Sequence, residues 1–185
     1  MIIPYDFKIS PQKYAKLGKK NKFPLIDQCP RCKAFGYLNR HGFYYRYVIT
    51  EKDEFRIPIC RLRCSKCKKT FSILPDFLIP YFQHTTQTIL GRLRQYLREK
   101  KVMGSRQLLA FYMKRYLKNL HWVHSFFVDL GNVWGFSKDM MKEATDILIE
   151  YSILMRGYFS GALGGIYLVT LWQNNSADFV ARKKY

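Results

Sequence analysis

Two C-x-x-C elements, Cys29-Pro-Arg-Cys32 and Cys64-Ser-Lys-Cys67, are the residues of this chain best suited to chemistry. A two-residue spacer lets one tight turn present two thiolates to the same ion, and zinc takes four such ligands at tetrahedral corners. The pair of knuckles, 31 residues apart, therefore predicts one zinc ion held by Cys29, Cys32, Cys64 and Cys67. With all four positions filled by protein, no place remains for water or substrate, and the ion is expected to be structural. Spacing alone also admits an iron–sulfur cluster, which uses the same ligands. Arg31, Lys33, Arg63, Lys66, Lys68 and Lys69 lie in or beside the knuckles, where positive charge offsets four thiolates and favours their deprotonation. The fifth cysteine, Cys60, precedes Cys64 by four residues on an apolar run and is expected in the core. His41 stands before Gly42 and reads as a turn residue, not a ligand.

The elements that must position these thiols are legible as changes of pattern. Residues 1–28 carry prolines and the cluster Lys13, Lys16, Lys19, Lys20 and Lys22, and read as a basic N-terminal arm or loosely packed lead-in. Residues 29–80 hold short β-rich runs between turn signals and are expected to form a small antiparallel zinc-ribbon sheet, with Glu51 to Glu54 at a hairpin tip. From 81 to 136 the period becomes helical, giving a helix-turn-helix-like region. Thr85 or Thr86 caps its first helix, and Ser105 caps a second that begins at Arg106. The segment 137–185 is expected to supply a further helix opening at Ser137, then an apolar stretch. The fold class is thus α+β.

Charge narrows the partner. The chain has 32 Lys and Arg against 13 Asp and Glu, a formal +19, and residues 1–80 carry 17 of those cations with only 6 acids. Such a field favours a polyanion. Arg46, Arg61, Arg63, Lys66, Lys68 and Lys69 in the ribbon, and Arg92, Arg94, Arg98, Arg106, Gln107, Lys114 and Arg115 in the helical region, are the candidate nucleic-acid contacts. Alternation puts Arg61 and Arg63 on one face of a strand and Leu62 on the other. Arg106 and Gln107 open the helix that would read base edges. Phe43, Tyr44, Tyr45 and Tyr47 could stack on unpaired bases, but most of these rings are expected in the ribbon's small core.

Residues 29–48, CPRCKAFGYLNRHGFYYRYV, followed by residues 57–81, IPICRLRCSKCKKTFSILPDFLIPY, resemble the N-terminal zinc ribbon of bacterial insertion-sequence transposases and of small transposase-related proteins. The resemblance implies that Cys29, Cys32, Cys64 and Cys67 are ligands and that ribbon and following helices recognise double-stranded DNA. Transposases cut DNA with a separate nuclease domain that holds divalent metal on three acidic residues. No such domain is expected here: Asp139, Glu143, Asp146 and Glu150 fall on one amphipathic helix and read as its wet face. The expected function is therefore zinc-dependent DNA binding without catalysis. RNA binding and an accessory role in a larger nucleoprotein complex are the alternatives.

Gly157 to Ala177 lacks any charged residue but includes four glycines and the polar run QNNS. A packed strand or helix, or a contact with a protein partner such as a second copy of the chain, is favoured over a membrane span. No secretory signal pattern opens the sequence, so paired C-x-x-C elements read as metal ligands in a reducing compartment. A cytoplasmic location, with the nucleoid if bacterial, is the expectation.

Overall fold

Ser10 followed by Pro11 is a helix start, because serine accepts from a first-turn N–H and proline lacks only an N–H the first turn leaves unused. In the computed structural model, which describes residues 1–129 and 135–148, the Ser10 hydroxyl accepts from Lys13 N at 3.2 Å and opens α1, Pro11–Leu17. Before it runs β1, Ile2–Tyr5. The first 28 residues are thus not the loose arm that their lysines suggested. Tyr14 of α1 is fully buried, and its hydroxyl donates to the Pro58 carbonyl at 3.0 Å. The lysines remain on the wet side of an element whose apolar side is packed.

Three more strands follow: β2, Leu38–Ile49; β3, Glu54–Cys64; and β4, Thr70–Pro75. The strand order is β1-β4-β3-β2. β2 to β4 are antiparallel, but β1 pairs parallel with β4, Ile3 opposite Ile73, so the sheet is mixed and not purely antiparallel. Pro4 can lie in β1 because that strand is an edge, where a missing N–H breaks no ladder on the solvent side. The acidic link sits at the hairpin tip as expected, with Thr50 Oγ1 accepting from Lys52 and Asp53 N–H groups.

Two apolar clusters hold this first unit. One gathers Tyr14, Val48, Ile57, Ile59, Leu74 and Leu78; the other gathers Cys29, Cys60, Leu62, Cys64, Phe71 and Ile73. Alternation along β3 explains the division, since Ile57 and Ile59 point one way and Cys60, Leu62 and Cys64 the other. Phe7 packs edge-on against Tyr5, Tyr14 and Phe23 at centroid distances of 4.8 to 5.6 Å.

At the ends of β1 and β4, the Asp76 N–H donates to Tyr5 O at 3.1 Å. Burial, and then the nearby Asp6 carboxylate, push the Asp76 carboxyl up to about 6, against N–H bonds from Phe77 and its own backbone. The raised value means that the unfolded chain ionises first as pH climbs. Stability is therefore fully present below about pH 4 and is lost on the way to about pH 6. Asp76→Asn is expected to stabilise the protein by about 1 kcal/mol at pH 7 and by less at about pH 5.5, where zinc is still held, measured by urea unfolding at fixed free zinc.

The chain divides into two compact units, Met1–Thr85 and Thr86–Tyr185. In the second, α2 spans Thr86–Glu99, α3 Arg106–Lys118 and α4 Leu120–Asp129. The α3 cap is the expected one, Ser105 Oγ accepting from Leu108 N at 3.3 Å. Buried Leu109, Tyr112, Met113 and Tyr116 form the inner side of α3. Residues 140–148 are helical, and Asp139, not Ser137, caps them, its Oδ1 accepting from Met141 N at 2.8 Å.

Glu143 corrects the reading of that helix's acids as a uniformly wet face. It is 1% exposed, accepts from Ser137 N at 2.7 Å, and pairs with His124 Nδ1 at 2.8 Å. A carboxylate with two such partners can be buried where an unpaired one cannot. Asp139 is exposed and Asp146 half-buried; Glu150 lies outside the described residues. The uncharged stretch 157–177, and the interaction surface expected of it, lie outside them as well. Among the described residues no helix is long and apolar enough to cross a membrane.

Candidate metal centre

The two knuckles are built alike. In the first, Cys29 N donates to Ala34 O and Lys33 N to Cys29 O, both at 2.9 Å; in the second, Cys64 N donates to Lys69 O at 2.9 Å and Cys67 N approaches Cys64 Sγ at 3.5 Å. The residue after each second cysteine, Lys33 and Lys68, adopts a left-handed backbone with φ of 58° and 59°. That reversal closes the turn back over the sulfurs. A non-glycine residue in this region costs on the order of 1 kcal/mol, so the same device at both knuckles implies a constraint that repays it.

The long spacer between knuckles is taken up by the β2–β3 hairpin. Its register sets Leu38 opposite Cys64, and Ser65 N donates to Tyr37 O at 2.9 Å, so the end of β3 returns to the start of β2. Cys29 and Cys64 are buried, Cys32 and Cys67 half-buried.

Cys29 Sγ lies 3.8 Å from Cys67 Sγ, Cys32 Sγ lies 3.8 Å from Cys64 Sγ, and all four sulfurs fall within 4.8 Å of one another. A disulfide would need about 2.05 Å. A tetrahedron with metal–sulfur bonds of about 2.3 Å has edges of about 3.8 Å, so the spacing fits a four-thiolate metal site of the kind zinc occupies. Burial opposes ionisation of Cys29, yet N–H groups of Cys32 and Arg31 and the neighbouring sulfurs bring its thiol down to about 6. Cys67 goes the other way: although a Lys69 N–H favours its thiolate, burial and sharing with the other three sulfurs push it up to about 11. Such mutual repulsion between crowded sulfurs is what a dication would relieve.

Cys60 is fully buried in the second apolar cluster, and burial raises its thiol; it stands outside the four-sulfur set, as expected. His41 does not join the set either. It lies within β2, exposed, at a register shift between Arg40 and Gly42, and not in a turn.

The candidate nucleic-acid contacts divide by position. Arg63, Lys66, Lys68 and Lys69 are exposed at the second knuckle, Arg31 and Lys33 at the first, so each knuckle carries its own cations. None of these six pairs with a carboxylate among the described residues. Arg61 is half-buried, opposite Ser72 of β4, and Arg63 lies opposite Thr70, with Leu62 buried between them. Arg46 points inward: its guanidinium donates to the Phe82 carbonyl, and burial lowers its pKa, so it ties β2 to the chain beyond β4.

In the second unit, Arg98, Arg106, Gln107 and Lys114 are exposed, while Arg92, Arg94 and Arg115 are half-buried. Arg115 lies over the Phe111 ring at 5.8 Å. Lys19, expected only as part of the basic arm, and Arg40 sit 5.8 and 5.9 Å from the Phe43 ring, and Arg56 sits 5.2 Å from the Tyr45 ring; none of the three is among the contacts expected from the sequence. Strand alternation of Phe43, Tyr45 and Tyr47 was the signal for that face.

Residues 29–109 match the family model of a domain of unknown function, DUF6431. The matched stretch takes in both knuckles, β2 to β4, α2 and the first residues of α3. No curated protein and no solved structure matches the chain.

Proposed function

We propose that this protein binds one structural zinc ion through Cys29, Cys32, Cys64 and Cys67 and uses the module so formed to grip double-stranded DNA. The observation that carries the reading is the siting of exposed cations, paired with no carboxylate among the described residues, on and beside the turns that hold the sulfurs: Arg31 and Lys33 at one, Lys66, Lys68 and Lys69 at the other, with Arg63 at the end of β3. Ordering the thiolates orders the cations, so metal and phosphate binding are coupled. An all-sulfur donor set favours zinc over oxygen-seeking cations, and a full shell suits scaffolding, not catalysis. Such thiols stay reduced in a cytoplasmic setting.

The motif resemblance supports descent from transposase DNA-recognition domains. In the second unit, α2 and α3 are joined by a six-residue link, 100–105, longer than the turn of the tightest helix-turn-helix units. Arg106 and Gln107, exposed in the first turn of the Ser105-capped helix, are the residues for base edges in this reading. The surface also suits an accessory subunit of a larger nucleoprotein complex.

Titration of zinc-loaded protein with fluorescent duplex DNA at several salt concentrations tests the reading. The logarithm of affinity should fall linearly with the logarithm of salt, by about 0.9 for each phosphate contact, and chelation should abolish binding. A salt-insensitive affinity, or one unchanged by chelation, would overturn it. Structured RNA binding more tightly than duplex DNA would move the assignment to RNA.

A further inference from the structure

β2 carries three aromatic residues at alternate positions, Phe43, Tyr45 and Tyr47, which alternation sets on one face of the sheet about 7 Å apart. Their surroundings differ along the row. Phe43 is half-buried and anchored, its ring 5.4 Å from Phe23 with Arg40 and Lys19 against it at 5.9 and 5.8 Å. Tyr45 and Tyr47 are 47% and 48% exposed, although strands usually hide such rings. Tyr44 and Arg46, on the opposite face, are by contrast half-buried, and Arg46 is spent on the Phe82 carbonyl.

The row also lies on an accessible edge. β2 ends the strand order, and among the described residues only Ile49, through its bridge to His84, pairs on the outer side. The shift between Arg40 and Gly42, with the charged side chains of the strand, protects that edge from pairing with another sheet. Cations accompany the rings along the row: Lys19 and Arg40 at Phe43, and Arg56 5.2 Å from the Tyr45 ring. The acids of this region, Glu51, Asp53 and Glu54, are confined to the hairpin tip beyond Tyr47.

We infer that this face is a stacking platform for unpaired bases of DNA, with Tyr45 and Tyr47 as the stacking rings and Lys19, Arg40 and Arg56 tracking the backbone. Rings at strand spacing beside cations are what single-stranded nucleic acid requires, since every base has a π-face and every nucleotide a phosphate. A protein partner would find cations along the row where an apolar patch is needed, and a duplex would hide its base faces. The inference rests on the DNA-binding reading above and adds a substrate class to it: duplex DNA with an adjoining unpaired segment.

The test compares three zinc-loaded proteins, wild type, Tyr45→Ala/Tyr47→Ala and Tyr45→Phe/Tyr47→Phe, on a duplex, on the same duplex with an unpaired thymidine tail, and on a tail of matched RNA. Wild type should bind the tailed duplex about a hundredfold more tightly than the blunt one. The alanine pair should lose that gain, about tenfold for each ring, while keeping its affinity for blunt duplex; the phenylalanine pair should retain it, because stacking needs the ring and not the hydroxyl. Equal affinity of wild type for blunt and tailed DNA, or an undiminished gain in the alanine pair, overturns the platform alone. Loss of binding to every duplex by wild type overturns the DNA reading beneath it. A tighter, tyrosine-dependent RNA complex would overturn the choice of DNA. Cobalt substitution, read from thiolate-to-metal absorbance, checks that the variants keep the metal site. If the alanine pair fails that check, photocrosslinking of wild type to a tail bearing 5-iododeoxyuridine decides: adducts on the peptide holding Tyr45 and Tyr47 are expected, and adducts only elsewhere overturn the platform.

Discussion

Cys64→Ser is expected to strip the first unit of its metal and unfold it, whereas Cys60→Ala should leave the metal in place. Cys64 is the last residue of β3, fully buried, with its sulfur 3.8 Å from Cys32 Sγ and its N–H on the Lys69 carbonyl. It also belongs to the apolar cluster of Cys29, Cys60, Leu62, Phe71 and Ile73, so ligand shell and core share two residues, Cys29 and Cys64. Binding of structural zinc is worth about 10–16 kcal/mol, comparable with the whole stability of a small domain at 5–15 kcal/mol. Removing one of four thiolates therefore removes the unit's main support. Cys60 offers packing and a side-chain contact with Arg40 but no metal ligand, and its truncation should cost roughly 1–2 kcal/mol. Metal content by mass spectrometry and amide exchange across β2 to β4 measure both effects. A Cys64→Ser protein that keeps stoichiometric zinc and a protected sheet would refute the four-thiolate site.

Neutralising the second knuckle should weaken DNA binding without disturbing the fold. The variant is Lys66→Gln, Lys68→Asn and Lys69→Gln; asparagine is chosen at 68 because it tolerates the left-handed backbone, φ 59°, better than other residues. All three side chains are exposed, and the Lys69 carbonyl that accepts Cys64 N–H belongs to the backbone and survives. If each lysine meets one phosphate, the salt slope should become shallower by about 2.7, and affinity near physiological salt should fall on the order of a hundredfold. An unaltered slope would place the DNA surface elsewhere. The corresponding change at Arg46 should leave the slope intact and instead lower stability, since its guanidinium is held by the Phe82 carbonyl.

The contrast between Arg46 and the knuckle lysines shows where reading residues along a strand falls short. Arg46 sits in a run as basic and aromatic as its neighbours, yet one step of alternation turns it toward the chain after β4. Glu143 makes the same point among acids. It looks like a solvated side chain on an amphipathic helix until His124, nineteen positions earlier, is found 2.8 Å away. Burial of a charge depends on whether a distant partner arrives, and helical periodicity carries no information on that.

Local physics made some of this protein legible from its residues. The C-x-x-C turns, the hairpin tip at residues 50–53, the runs that became β2, β3 and β4, and the Ser105 cap of α3 all depend on neighbours a few positions apart, where spacing and propensity decide. The ligand set followed because two knuckles with two thiolates each satisfy one tetrahedral ion. In the N-terminal segment the Ser10-Pro11 cap decides the structure and the lysine run does not, because the lysines stay on the wet side of a helix whose Tyr14 is buried. What no local pattern could supply was the parallel pairing of β1 with β4, seventy residues away, the burial of Tyr14 with its hydroxyl on the Pro58 carbonyl, and the exposure of Tyr45 and Tyr47 beside the half-buried Tyr44. These outcomes are set by which surfaces meet after collapse. A side chain's chemistry is written in its own residue, whereas its solvent exposure belongs to whatever the rest of the chain lays over it.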